Sequence, residues 1–288
     1  FPFTAQGMRT PRADILISSS HCVAKGLRVP AGTRHLCYCF TPIRYAWGFF
    51  GEYFGKSPVK ALGARMILPL LRRWDVRTAR HVDRFVAISR HVQRRILDFY
   101  GRESDVVYPP VNLDHFTPGT ARAGDFDLIV SALVPYKRID LAIGAYAKSG
   151  RRLRVVGSGS EMGRLRSLAP ANIEFLGWQS DDTLRDLYRS CRLLVFPGEE
   201  DFGIVPLEAQ ACGCPVVAYR KGGVLETVQQ DITGVFFDEQ TEPSLMDAVN
   251  LCGSRSWDKG AIRSNAERFS VQNFVSGLAE SIRLCLNP

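Results

Sequence analysis

Two carboxylates, Glu200 and Glu208, stand with seven residues between them in the stretch 197–217, PGEEDFGIVPLEAQACGCPVV. Pro206 suits the first turn of a helix, where its missing N–H has no partner to lose, and Gly213 suits the stop. The spacing predicts a short helix over 206–212 with Glu208 in its first turn. Ahead of it, the amides of Gly203, Ile204 and Val205 have no carbonyl one turn back and face the positive end of the helix dipole. Such a terminus favours an anion. A carboxylate beside it suits a molecule that carries both phosphates and hydroxyls, such as a nucleotide sugar. The alternative is an ordinary strand-to-helix connection with two solvated glutamates.

The surrounding sequence supplies elements to hold these groups. Strands are predicted at 127–133, 153–157, 173–176, 193–196, 215–219 and 235–237, with helices at 139–148, 162–169, 182–190, 206–212, 224–228 and 244–251 between or after them. That alternation implies an α/β domain: a doubly wound parallel sheet covered on both faces, with its ligand edge at the strand C-termini. Four strand ends meet that edge. They carry the cationic turn Val134-Pro135-Tyr136-Lys137-Arg138, the turn Gly157-Ser158-Gly159, the turn from Gly177 to Asp181, and the stretch with the two glutamates. Lys137 can neutralise a phosphate, and Gly157 and Gly159 permit close backbone approach.

The first half reads less regularly. Short strands are predicted at 13–18, 34–40, 84–89 and 105–108, and a helix capped by Ser89 runs to about residue 100 with Gly101 as its stop. Ser18 to His21 and Lys25 then fall at the end of the first strand, so His21 is a site candidate or a capping and packing residue. A helical region rich in aromatics and arginines extends to about residue 80. In it Ile67, Leu68, Leu70, Leu71 and Trp74 oppose Arg65, Arg72, Arg73 and Arg77, which suits either a membrane surface or a cover for the sheet. Segment 111–125 is rich in turn formers and reads as a linker. The last segment, 258–286, is helical.

Composition is that of a soluble globular chain, 45% hydrophobic and 23% charged, and no run approaches the roughly 18–20 apolar residues that span a bilayer. The eight cysteines form no CxxC and no zinc-like spacing with His, so they are expected to be reduced core thiols. Charge is uneven. Residues 1–120 hold 18 Lys/Arg against 8 Asp/Glu, while the remainder holds 19 against 21. The basic half fits an anionic partner, lipid headgroups or a phosphate-bearing acceptor, or a solvated face; no nucleic-acid module is recognisable.

Together these motifs resemble the retaining GT-B glycosyltransferases of the group 1 type (glycosyltransferase family 4-like). The resemblance is carried by residues 130–138 (VSALVPYKR), Gly157-Ser158-Gly159, Phe175-Leu176-Gly177, residues 200–209 (EDFGIVPLEA), and Gly222-Gly223 before Glu226-Thr227-Val228. Tyr108-Pro109-Pro110-Val111 and Thr41-Pro42-Ile43-Arg44-Tyr45 are similar to the branch of bacterial mannosyltransferases of surface-polysaccharide and lipopolysaccharide assembly. The resemblance implies two Rossmann-like domains facing a cleft: a partial acceptor-side domain, 1–118, with helix 270–288 packing back on it, and a nucleotide-sugar domain, 119–269. It implies transfer of mannose from GDP-mannose, with retention and without a metal or other cofactor, to a lipid-linked saccharide. The protein would act in the cytoplasm, peripheral on the inner face of the membrane.

The resemblance also assigns roles. Glu208 would bind the ribose hydroxyls, Glu200 the donor sugar, and Lys137 the diphosphate, supported by Arg138, Phe202 and the amides of Gly203, Ile204 and Val205. Asp181 would meet the base; Arg44 and Tyr45 would lie on the acceptor side. Three departures stand out. Ala132 occupies the place of a usual phosphate-binding Arg, so one phosphate cation is expected to be absent or to be replaced by Arg138 or by a residue elsewhere. Phe40 stands where members often carry a His, so that role is expected to be lost or to pass to His21. The glycine-rich loop that normally faces the donor phosphate is not in the sequence, so an N-terminal truncation is expected. These departures motivate two alternatives: a non-catalytic nucleotide-sugar-binding or scaffold protein, and another GT-B enzyme such as a UDP-GlcNAc epimerase.

Overall fold

A computed structural model describes residues 6–48, 58–120 and 124–287. The chain divides into two compact units, Phe1–Pro109 with Phe274–Pro288, and Pro110–Asn273.

The first unit is built on four parallel strands, β1 (Ile15–Ser20), β2 (Arg34–Cys39), β3 (Arg84–Ala87) and β4 (Ser104–Val106), adjacent in that order. Strand β1 runs two residues beyond its expected end, so Ser19 and Ser20 belong to the sheet and not to the loop, and Ser18 and Ser20 are buried. The Ser18 hydroxyl lies 2.8 Å from His35 Nε2, which satisfies it inside the sheet. Lys25, expected at the ligand edge, is also buried. It pairs with the equally buried Asp75, whose other oxygen accepts from Trp47 Nε1 at 2.7 Å and Tyr100 Oη at 2.8 Å.

The described α-helices between these strands are α1 (Arg44–Trp47), α2 (Pro58–Ala79) and α3 (Arg90–Tyr100). As the sequence indicates, α3 begins where the Ser89 hydroxyl accepts from the Val92 amide at 3.0 Å and ends at Gly101, whose φ is 62°. Helix α2 departs from the reading of one apolar side. Leu68 is buried with Ala64, Ile43 and Ala46, and Leu71 and Trp74 pack on that cluster, but Ile67 and Leu70 face solvent. Part of the expected helical region, 49–57, lies outside the described residues. No helix among the described residues is long and apolar enough to cross a membrane.

The second unit holds six parallel strands, β5 (Phe126–Val130), β6 (Arg152–Val156), β7 (Ile173–Gly177), β8 (Leu194–Phe196), β9 (Val216–Tyr219) and β10 (Gly234–Phe237). Their spatial order is β10-β9-β8-β5-β6-β7. The chain therefore steps from β5 to β7 in one direction and returns to the other side of β5 at β8. In open parallel sheets the crevice between two such strands is where ligands bind, because the loops leaving them diverge to opposite faces. Helices α4 (Ile139–Ser149), α5 (Met162–Leu168), α6 (Asp181–Ser190), α7 (Ile204–Ala211), α8 (Val224–Thr227), α9 (Glu242–Ser254) and α10 (Lys259–Glu267) accompany the strands.

Much of the segment read as a linker is held by this second unit. The Val111 amide donates to Phe269 O at 2.9 Å, Phe116 is buried beside Tyr188, and Arg263 donates to the carbonyls of Phe116 and Leu113. Its polar composition conceals an anchored strap, and the division between units falls at Pro110, not at 118/119; residues 121–123 lie outside the described set. The last helix, α11 (Val271–Leu286), enters the first unit from Phe274 onward, where that ring meets Tyr38 edge-on at 5.7 Å and the Ser281 hydroxyl reaches Asp105 at 3.2 Å. All eight cysteines are free thiols and seven are buried, as core residues would be.

Candidate active site

The helix behind the two glutamates begins two residues earlier than its proline suggests. Gly203, with φ 95°, is the N-cap of α7, so Ile204, Val205 and Pro206 form the first turn. A non-glycine residue adopts that left-handed backbone at a cost, which explains glycine at this position. Pro206 stands third, where its lack of an N–H still breaks no helical bond. Glu208 consequently lies in the second turn. Side chains on a helix lean toward its N-terminus, so Glu208 still projects toward the turn where the amides of Ile204 and Val205 open.

Lys137 and Glu200 meet as a salt bridge, both side chains largely withdrawn from solvent at 17% and 12% exposure. Lys137 leaves the loop after β5 and Glu200 the loop after β8, so the pair straddles the reversal point of the sheet. Two features bring these loops together. Gly198 has no side chain where a Cβ would stand 2.8 Å from the Lys137 Cα, and Gln240 donates to Pro197 O at 2.9 Å while accepting from Arg138 Nη1 at 3.1 Å. Neither Gly198 nor Gln240 is distinguishable by sequence; only the touching of two distant loops exposes them. Arg138, with φ 53°, also reaches Asp140, so its described contacts brace the loops. Nothing in them shows a guanidinium replacing the one absent at Ala132.

Glu208 is set by a different environment. Its Oε2 accepts from the Tyr188 hydroxyl at 2.9 Å, and Tyr188 is buried on α6. Burial pushes the Glu208 carboxyl up to about 7; the Tyr188 hydrogen bond opposes that rise and the nearby charge of Asp181 adds to it. Asp181 opens α6 behind the Ser180 cap and is exposed, so the two carboxylates share one electrostatic neighbourhood. Tyr188 escaped sequence reading because it looks like any apolar-face residue of an amphipathic helix.

Three of the expected donor-site residues make contacts within the protein. A Cβ on Gly157 or Gly159 would strike the carbonyls of Ser131 and Leu133, and the Leu133 amide donates to Ser158 O at 2.8 Å. These glycines let the loop after β6 pack on the loop after β5. Phe202 is buried, with its ring 5.7 Å from that of Phe269, so it anchors the start of α7 from below.

The remaining candidates lie in the first unit. His21 follows Ser20, and Phe40 follows Cys39, the β2 residue paired with Ser20. The two are therefore neighbours at the C-terminal edge of that sheet, tied by the Phe40 amide to Ser20 O at 2.7 Å. Arg44 opens α1, and the Tyr45 hydroxyl lies 3.5 Å from Cys22 Sγ.

Residues 119–267 match the family model of the glycosyl transferases group 1, which covers more than half of the chain. The chain belongs to the group 1 glycosyltransferases. A D-inositol 3-phosphate glycosyltransferase of Mycobacterium tuberculosis (strain H37Rv) is 32% identical over 247 residues, covering 75% of this chain and 51% of the relative. The chain spans about half the length of the curated relatives it matches. Among solved structures, Anabaena Alr3699/HepE in complex with UDP and glucose superposes with a TM-score of 0.65 at 21% identity, over 88% of this chain and 86% of that one. The lipopolysaccharide outer core galactosyltransferase WaaB gives 0.66 at 16% identity, over 93% and 74%. This group 1 glycosyltransferase accordingly has the GT-B fold, with a Rossmann-like α/β arrangement in each unit.

Proposed function

We propose that the protein transfers a hexosyl group, with retention, from a nucleoside diphosphate sugar to a lipid-linked saccharide in surface-polysaccharide assembly, at the cytoplasmic face of an anionic membrane. The observation that carries the donor half of this reading is the Lys137–Glu200 pair across the reversal point of the β5–β10 sheet, beside the N-terminus of α7. In the absence of donor each group neutralises the other. A diphosphate entering there takes over Lys137 and the amides of Ile204 and Val205, and releases Glu200 toward the sugar. Glu208, one turn further along the same helix, accepts from the ribose hydroxyls, and Asp181 at the start of α6 stands near for the base. GDP-mannose is the donor we put forward, on the likeness of Thr41 to Tyr45 to the mannosyltransferase branch; HepE, by contrast, is described with UDP and glucose.

The chemistry asked of these residues is electrostatic. The acceptor oxygen bonds to the anomeric carbon as the bond from that carbon to the phosphate oxygen breaks, and the acceptor proton passes to the departing phosphate. Attack from the leaving-group side preserves configuration. Lys137 and the α7 amides stabilise the charge that grows on the diphosphate, an effect commonly worth about 10²–10³ in rate per donor removed. His21 and Arg44, at the sheet edge of the first unit, are proposed to meet the acceptor.

Glu200→Gln in the full-length protein tests the division of labour. Calorimetry should show nucleotide-sugar binding within a few-fold of wild type or tighter, because Lys137 loses its internal counter-charge, while transfer falls by about 10² or more. Transfer at the wild-type rate would remove Glu200 from the site.

A further inference from the structure

The face of α2 turned away from the Ile43 and Ala46 cluster carries an arrangement that nothing in the donor site uses. Leu62, Met66, Ile67 and Leu70 are 63–74% exposed on it. Leu62, Met66, Leu70, Arg73, Arg77 and Arg80 follow one another at intervals of three or four residues, so they form one line along the helix and its end, apolar first and then basic. All three arginines are exposed. The single carboxylate of the helix, Asp75, is buried with Lys25 and offsets none of this surface charge.

We propose that this face is a bilayer-docking surface for anionic lipid, with α2 tilted so that its N-terminal half enters the acyl boundary and Arg73, Arg77 and Arg80 remain among the headgroups. Four large exposed apolar side chains on one helix are costly in water, and burying each recovers part of its transfer free energy. The separation along the axis gives the tilt. From Met66 to Arg77 the helix rises about 16 Å, more than the roughly 5–8 Å of one headgroup layer. A helix lying flat would hold both halves at the same depth. Charge selects the lipid, since the first 120 residues carry 18 Lys/Arg against 8 Asp/Glu.

The position suits the acceptor, and here the inference rests on the reading that the acceptor is lipid-linked. On its inner side α2 packs against α1: Ala64 and Leu68 meet Ile43 and Ala46, and Arg72 Nε donates to Ala46 O at 2.5 Å. Arg44 and Tyr45 on α1 therefore lie about one helix diameter, roughly 10 Å, from the face that enters the bilayer. An acceptor anchored by its lipid would present its saccharide at that depth.

Co-sedimentation of the full-length protein with phosphatidylcholine vesicles containing about 30% phosphatidylglycerol tests this. The variant L62S/M66S/I67S/L70S should bind roughly 30-fold more weakly, while Leu97→Ser, which alters another exposed apolar residue, on α3 (51% exposed), leaves binding unchanged. R73E/R77E should lose both the preference for anionic vesicles and its salt dependence. Wild-type levels of binding in the quadruple variant, or no vesicle binding by the wild type, overturn the proposal. So does a wild-type oligomer dispersed by the quadruple variant without any vesicle binding, which would mark a contact between copies. Nucleotide-sugar calorimetry on the same samples separates this from the donor reading: lost donor binding with intact vesicle binding would sink the transfer reaction and leave the docking surface standing.

Discussion

Each unit contains a lysine–carboxylate pair withdrawn from water, and the two differ in how they are enclosed. Lys25 and Asp75 are 1% and 0% exposed, and Asp75 also accepts from an indole and a phenol. The ammonium lies 5.0 Å from the centre of the Tyr100 ring and 5.6 Å from that of Trp74. No ligand reaches a pair so surrounded; it acts by tying the turn after β1 to α2 and α3. Lys137 and Glu200 instead stand on two loops at an open sheet edge, beside helix amides that attract anions. The same residue types thus serve as a fastening in one unit and as an exchangeable contact in the other, and the difference lies in what could replace the carboxylate.

The largest effect expected from this contrast is on stability. Asp75→Ala leaves the Lys25 ammonium buried without its counter-charge and should destabilise the protein by about 3–5 kcal/mol in urea unfolding; removing Lys137, whose pair is less completely enclosed at 17% and 12% exposure, should cost less. A loss of similar size for both would erase the distinction. Next comes Gly198→Ala. Its Cβ would meet the Lys137 backbone, so the loops must part. Donor affinity should fall by about 10-fold, with a stability loss of roughly 1–3 kcal/mol as for other overpacked positions; unaltered affinity would show that the loops need not touch.

A smaller effect concerns pH. The Glu208 carboxyl is raised by burial to about 7 from an ordinary value of 4.5, so between those values the folded state holds a proton that the unfolded state has released. Folding stability should therefore decline as pH rises from about 4.5 to 7 and level off above. Donor affinity should move the other way, increasing through pH 7, because the ionised carboxylate is the better acceptor for ribose hydroxyls. Glu208→Gln should flatten both profiles. The smallest expected change is in Tyr188→Phe, which removes the hydrogen bond that favours the ionised form and should shift the affinity profile upward by a fraction of a pH unit. A shift downward would contradict the assigned direction of that bond.

How much of this was legible in the sequence depended on the range of the interaction. The alternation of strands and helices after residue 126 specified the second unit, since local apolar periodicity determines those elements. Ser89 and Gly101 marked their helix for the same reason. Lys137, Glu200 and Glu208 stood out because charged groups at strand ends and helix starts have few structural uses. Errors arose where a distant partner decided the outcome. Ser19 and Ser20 looked like loop residues until their pairing with Tyr38 and Cys39 drew them into the sheet. Lys25 looked like a ligand-edge residue until Asp75, 50 residues away, met it. Pro206 suggested a helix start, but Gly203 set it two residues earlier because its left-handed backbone makes the turn. Segment 111–125 looked like a linker because Arg263, which bonds its carbonyls, lies about 150 residues beyond Leu113.

In the proposed reaction Lys137 and Glu200 form the point at which a nucleoside diphosphate sugar displaces an internal ion pair. Calorimetric titration of full-length wild type and Lys137→Met with GDP-mannose, and with UDP-glucose as the competing donor, tests it most directly. One of these donors should bind the wild type measurably and the variant about 10²-fold more weakly, a little under 3 kcal/mol, with the fold retained. Equal affinity in both proteins, or no binding of any nucleotide sugar to the wild type, would contradict it.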